Sequence, residues 1–559
     1  MTALDAVIVE VIGNRLLSIV DEQQAALVRT AFSTIVRESE DLACGVFDAR
    51  GWMVAQSLTG TPGHINAMAT GMRHVVAAAR DISPGDVLVT NDPWQTSGQV
   101  NDFTVATPVF HRGRPVGWFA NTCHSADVGG RVLSGEAREV FEEGLRIPIM
   151  KLFRAGEPNE ELLDIVRVNV RTPDETVGDL YAQTACNDVG ARRLVELLEE
   201  AGLETLEPVA DEIVGRSERA MREAIRDVAN GVYEGETTSD GIDGEPVRIH
   251  ATVAVEDEDV HVDFAGSSPQ SPRGINVVLN YTHAYASFAM KAALAPEVPH
   301  NEGSFRPVRV TAPPGSILNA LPPAAVGSRH VIGHFLPGVI FLALADALPG
   351  RLLAGGADSV WLSVITGRGF QLSLFQAGGT GARAEKDGLS ATGFPTGVAG
   401  VPAEVIETLT PLVQHRRELR RDSGGAGRAR GGLGQLTELS NRTRGEWQIS
   451  AMIDRTRFPG PALHGGREGA LGEFRRGDER LAPKRLVRLG PDDRLALNPP
   501  GGSGYGDPRE RDPERVLQDV VDGYVSVQAA EREYGVRISY TGPPDALVRT
   551  AGMYEIERS

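Results

Sequence analysis

The residues best suited to chemistry stand close together, in the stretch 91–131. Two apolar runs, 103–110 and 116–120, are separated by His111-Arg112-Gly113-Arg114-Pro115, whose Gly and Pro suit a hairpin turn. Asn91, Asp92, Gln99, Asn101 and Asp102 precede the first run, and His124, Ser125, Asp127, Gly129 and Gly130 follow the second. An antiparallel hairpin returns its second strand to the start of its first, so Asp102 and His124 are expected at the same end of a sheet. Imidazole and carboxylate there suit a borderline cation such as Zn, Mn or Fe. The same residues beside glycines also suit a hydrogen-bonded turn, and spacing leaves both readings open.

The elements that must hold this hairpin can be read around it. Apolar residues at helical spacing (Ile8, Ile12, Leu16, Leu17, Val20) predict a helix over 5–32, packed under a sheet. Runs 43–47 and 52–57 predict a second hairpin, with Asp41 just before it and able to point to the same end as Asp102. His64 follows Pro62-Gly63 at the start of a helix expected to reach residue 79; a structural hydrogen bond and a site role both remain open for it. Helices are expected over 159–169, 177–201 and 206–230. At Gly231 the pattern changes to strands (232–235, 247–255, 260–264), followed by helices over 276–295 and 335–348 and a Pro-rich loop between them.

From Val360 strands alternate with glycine clusters, 378–383 and 422–434. Neither cluster has the spacing of a phosphate-binding loop, so tight turns are the expected role, with Arg383 a candidate for holding an anionic intermediate. A helix is expected over 511–535. The fold class expected is α+β, a mixed, sheet-rich chain with packed helices in three regions, 1–230, 231–350 and 351–559.

The chain of 559 residues is 41% hydrophobic and carries 56 Lys and Arg against 75 Asp and Glu, a net charge of −19. That acidic balance argues against nucleic acid or an anionic membrane as a partner. Cys44, Cys123 and Cys186 lack any metal or redox spacing, which fits a reducing compartment, and Cys123 reads as a small buried hydrophobe rather than a nucleophile. The start lacks the pattern of a secretion signal, and no apolar run reaches the ~18 residues of a membrane span, so a cytoplasmic protein is expected.

Asn91-Asp92-Pro93, Asp102, Pro108-Val109-Phe110, His124, Asp127, Gly129 and Gly130 together resemble the hydantoinase B family. That family includes the matching part of 5-oxoprolinase, caprolactamase and the metal-bearing subunits of ketone carboxylases. The resemblance continues through RESEDLACGVFD (37–48), PGHINAM (62–68), EGLRIP (143–148), GDLYAQ (178–183), PHNEGSFRP (299–307), DSGGAGRARGGLG (422–434) and NPPGGSGYGDP (498–508). It implies metal ligands at Asp41, Gln99, Asp102 and His124; His64 and Asp127, within matched segments, and Arg383, from the first glycine cluster, are the candidate catalytic residues. Gln99 departs from the pattern, since relatives carry His there, and a neutral carboxamide is the weaker ligand. The resemblance also implies a subunit of an ATP-dependent hydrolase of cyclic amides (hydantoin, oxoproline or lactam). Its hydantoinase A type partner would carry ATP and Mg. Two alternatives stay open: a ketone carboxylase subunit, and a scaffold with a degenerate metal site.

Overall fold

A computed structural model describes residues 6–443 and 445–557; Asp5, the first residue of the expected N-terminal helix, lies outside them. The chain divides into two compact units, one of residues 1–234, 250–340 and 395–401 and the other of 235–249, 341–394 and 402–559. The segment 231–350, expected as a region of its own, is thus shared between them. The architecture is mixed α+β, as the sequence predicts.

The first unit is built on a seven-stranded sheet. Its elements are helix α1 (Ala6–Thr30), strands β1 (Leu42–Phe47) and β2 (Met53–Gln56), helix α2 (Pro62–Ala78), and strands β3 (Val87–Thr90), β4 (Asp102–His111), β5 (Arg114–His124), β6 (Met150–Arg154) and β7 (Glu157–Pro158). Helices α3 (Pro173–Glu200) and α4 (Leu279–Leu294) follow. The strand order is β2-β1-β5-β4-β3-β6-β7, which puts the predicted hairpin β4–β5 at the centre. Both sheet faces are covered. Phe103, Val105 and Val89 pack with Val177 and Leu180 of α3 on one side, and Ala106, Trp118 and Leu88 with Met68 and Met72 of α2 on the other. Burial on both faces explains why these strands read as continuous apolar runs rather than alternating ones.

Helix α3 opens with Pro173, Asp174 and Glu175 in its first turn, all favourable at a helix N-terminus. Its Gly190 lets Phe119 of β5 approach so closely that a Cβ there would stand 2.4 Å from the ring. Two carboxamides one turn apart then fasten it to the hairpin. Gln183 Nε2 donates to Phe103 O (2.9 Å) and Asn121 Oδ1 (2.8 Å), and Asn187 Nδ2 to Val105 O (3.2 Å). Asn121 and Gln23 both donate to Asn187 Oδ1, closing a buried network of amides beneath the hairpin. Such a network of linked amides ties the helix to the sheet end it supports.

The second unit holds the glycine clusters, and here the expectation of tight turns is corrected. Gly379, Gly381, Gly425, Gly432, Gly502 and Gly504 do not take the left-handed conformation that makes glycine necessary in type II and hairpin turns. They lie in extended segments bonded to one another: Gly379 N donates to Pro500 O (3.0 Å), Gly502 N to Gly432 O (2.9 Å), Gly432 N to Thr380 O (2.9 Å) and Gly425 N to Gly502 O (2.8 Å). Backbone packs on backbone, and glycine is needed because a side chain would occupy the space of the neighbouring segment's carbonyl. The helix expected over 511–535 is likewise interrupted. It runs Pro513–Val521 and stops where Gly523 turns left-handed (φ +77°), a helix-ending geometry.

Candidate functional site

The register of the central hairpin pairs Asp102 directly with His124. Strand β1 runs on the other side of β5, pairing Leu42 with Cys123, so Asp41 arrives one residue away and its carbonyl accepts from His124 N (3.1 Å). Thr61 N donates to Leu42 O, which places the start of α2 over the same sheet end. His64 sits in that first turn beside Gly63, where a Cβ would lie 2.4 Å from the Tyr281 ring. Four separate segments therefore converge because their hydrogen-bonding ends are shared.

At the centre is the carboxylate of Asp102, which is 0% exposed. Its Oδ1 accepts from Gln99 Nε2 (2.7 Å) and lies 2.9 Å from His124 Nδ1. Its Oδ2 lies 3.1 Å from His64 Nε2 and accepts from Arg329 Nη2 (2.5 Å). Gln99 Nε2 is also 2.9 Å from His124 Nδ1, and Gln99 Oε1 has no hydrogen-bond partner among the described residues. Asp41 Oδ1 accepts from Thr61 Oγ1 (3.1 Å) and stands 3.6 Å from His64 Nδ1. Asp41, His64, Gln99, Asp102 and His124 are thus brought together, all buried.

The charges follow from these contacts. Burial alone would raise the Asp102 carboxyl, but Arg329, His64 and the histidine hydrogen bonds outweigh it and hold it well below the usual carboxylate range. Burial would likewise lower His64, yet Asp102 and Asp41 raise its imidazole above its ordinary value. Burial pushes the Cys123 thiol up, in keeping with a neutral packing residue.

Asp127 is placed differently. It is buried, but its carboxylate accepts from the backbone N–H and guanidinium of Arg171 and from Gly129 N (3.3 Å), so it fastens the loop after β5 rather than joining Asp102. Arg383 belongs to the second unit, where it is exposed and its backbone pairs with Lys386. The contacts around Asp102 are made without either residue.

Three further residues complete the site, Arg329, Tyr281 and His334, and the sequence alone does not point to them. Arg329 is 2% exposed, its Nε donates to Ser97 O (2.8 Å), and its guanidinium lies 4.0 Å over the Tyr281 ring. Tyr281 fits edge-on between Gly63 and Gly333, and its hydroxyl is 3.4 Å from His334 Nε2. The available signal was Arg329-His330 and His334 at helical spacing, just ahead of the apolar run that forms Leu336–Leu344.

The implied metal can be tested on these donors. Both oxygens of Asp102 are engaged by four neighbours, Gln99 turns its N–H2 group inward, and His124 Nδ1 faces Asp102. Among the described residues no group of three or more His, Cys, Asp or Glu is arranged to hold a metal ion. The residues as arranged do not fit a divalent cation.

The loop carrying Arg329 is held by Glu143, whose Oε1 accepts from Gly327 N (2.6 Å). Burial pushes the Glu143 carboxyl up to about 7 from 4.5, against the opposing backbone hydrogen bonds. Because the folded pKa lies above the unfolded one, stability is lost as pH rises from about 4.5 to 7 and stays lost above that. Glu143→Gln, which does not ionise, should gain on the wild type by about 3 kcal/mol across that window. Denaturant unfolding at the two ends of the window checks this; a difference independent of pH contradicts it.

The chain matches the family model described as hydantoinase B/oxoprolinase over residues 5–508. It is 30% identical over 573 residues to the B-type subunit of a putative D-/L-hydantoinase of Pseudomonas sp., covering 96% of each chain. It is 31% identical to the beta subunit of the caprolactamase of Pseudomonas jessenii, covering 98% of each. The crystal structure of the ATP-dependent caprolactamase from that organism superposes with a TM-score of 0.89 at 29% identity, over 97% of this chain and 98% of that one.

Proposed function

Because the chain belongs to the hydantoinase B/oxoprolinase family, we propose that it is the B-type subunit of an ATP-dependent hydrolase of cyclic amides, working with a hydantoinase A type partner. Similar proteins are named as B-type and beta subunits, and the solved caprolactamase is described as ATP-dependent, which supports both the partner and the nucleotide. ATP and Mg belong to the partner in this reading. In the second unit, glycine N–H groups that could cradle a phosphate already donate to neighbouring carbonyls. The three buried free cysteines suit a reducing, cytoplasmic setting.

The observation that carries the reading is the buried Asp102 gripping two imidazoles at one sheet end. With His124 Nδ1–H donated to Asp102, its Nε2 presents a lone pair that can take a proton from water, the role of a general base. His64, raised by Asp102 and Asp41, can supply a proton to the ring nitrogen as the C–N bond opens. Activation of the amide oxygen by the partner's ATP would turn a poor electrophile into one that this water attacks. No divalent metal is assigned to a step.

Co-expressed with a hydantoinase A type chain, the protein should elute from size exclusion in one joint peak, and the isolated chain should bind no ATP. Two separate peaks, or tight nucleotide binding by the chain alone, would sink the proposal.

A further inference from the structure

The structure assigns to Arg329 the place that a divalent cation takes in a carboxylate–imidazole site: we infer that this chain's Asp102 cluster is closed by its own guanidinium and binds no Zn or Mn until that charge is removed. The inference concerns metal content alone and does not depend on which substrate the complex opens.

Three observations carry it. First, Asp102 has no oxygen left to offer, since Arg329 and His64 meet Oδ2 while Gln99 and His124 meet Oδ1. A metal ion there would have to displace at least one of these donors, and the guanidinium is the one that repels it. Second, Arg329 is built in rather than swung in. Its Nε is tied to Ser97 O, its plane lies on Tyr281, and Gly98 leaves room for its stem, a Cβ there standing 3.0 Å from Arg329 Cδ. The residues before it are pinned too, with Gly327 N on Glu143 and Ser328 N on Gly274 O (2.8 Å). Third, Gln99 presents N–H to Asp102, where a ligand would present a lone pair. Gln99 and Arg329 therefore work in the same direction: one withholds a ligand and the other supplies the charge. A buried carboxylate needs a cation beside it, and a fixed arginine meets that need as a metal would.

The pairing predicts that neither change alone makes a metal site. Gln99→His adds an imidazole but leaves the guanidinium on Asp102, and Arg329→Met frees Asp102 but leaves an amide in the ligand position. Together they should create a site whose donors are Asp41, Asp102, His124 and the imidazole introduced in place of Gln99.

The test uses the full chain, dialysed against micromolar Zn or Mn and measured for bound metal, each time as the difference from a matched His124→Ala variant to remove adventitious surface binding. Wild type and Gln99→His should show no His124-dependent metal. The double variant Gln99→His/Arg329→Met should hold about one ion per chain, roughly 100-fold tighter than the wild type. Stoichiometric, His124-dependent metal in the wild type overturns the inference, as does a folded double variant that binds no better than the wild type. Should the double variant not fold, the wild type still decides the matter: saturating Zn or Mn should leave its unfolding temperature unchanged, because a ligand bound to the native state raises it. A His124-dependent rise of several degrees overturns the inference. Loss of activity in the complex would bear on the proposed reaction, and the metal readings on Arg329 alone.

Discussion

Gly502→Ala is expected to leave the second unit unfolded. The added Cβ would stand 1.9 Å from Thr380 O and 2.2 Å from its carbonyl carbon, both backbone atoms that cannot rotate away. Relief requires the segment to shift by about an ångström, the scale on which close-packed interiors resist insertion. The shift would break Gly502 N→Gly432 O and Gly425 N→Gly502 O, and with them the segments beyond. A cost above roughly 5 kcal/mol is expected, at the far end of what single substitutions produce. Gly381→Ala, with its Cβ 1.8 Å from Ala354 O, should behave alike, whereas Gly552→Ala meets nothing within 4 Å and should be neutral. Soluble yield and circular dichroism of the three variants check the contrast. A native-like melt for Gly502→Ala would mean that the glycine bundle is far looser than its contacts state.

Asp102→Ala is expected to abolish turnover and to destabilise the first unit by about 3 to 5 kcal/mol, because removing one partner of a buried pair strands the other's charge. Arg329 is the group stranded, and His64, His124 and Gln99 lose their shared acceptor with it. Removing both charges should cost less than removing one: Asp102→Leu with Arg329→Met is expected to recover much of the lost stability and none of the activity. Asp102→Asn retains the shape but can no longer accept from every neighbour, and should lower turnover at least roughly 100-fold while the chain stays folded. Unfolding midpoints and turnover of the reconstituted complex separate the two effects. Equal stability of the single and double variants would show that Asp102 and Arg329 are not coupled.

The central hairpin was legible because its cues are local. Arg112 and Gly113 close the turn, and one register shift between Val109 and Phe110 then puts Asp102 opposite His124. Asp41 and His64 were legible at one remove, each standing at the edge of an element whose start could be read. Arg329 and Tyr281 were not, because they come from about 160 to 230 residues along the chain, and nothing local in the sequence says that a guanidinium will stack on that ring and reach Asp102. Asp127 had the right neighbours and the wrong direction: beyond His124 the chain turns through Gly129 and Gly130, both left-handed, and carries its carboxylate to Arg171. The glycine clusters misled for a related reason. Glycine permits a turn, but it also permits backbones to touch, and composition does not distinguish the two.

The most direct measurement of the proposed function is ring opening by the chain reconstituted with its hydantoinase A type partner, ATP and Mg, followed on a panel of hydantoins, 5-oxoproline and lactams. The account predicts ATP-dependent opening of at least one member, no reaction by either chain alone, and a loss of at least about 100-fold in His124→Ala within a complex that still elutes as one peak. Ring opening that survives unchanged in His124→Ala, or that proceeds with the partner alone, would contradict it.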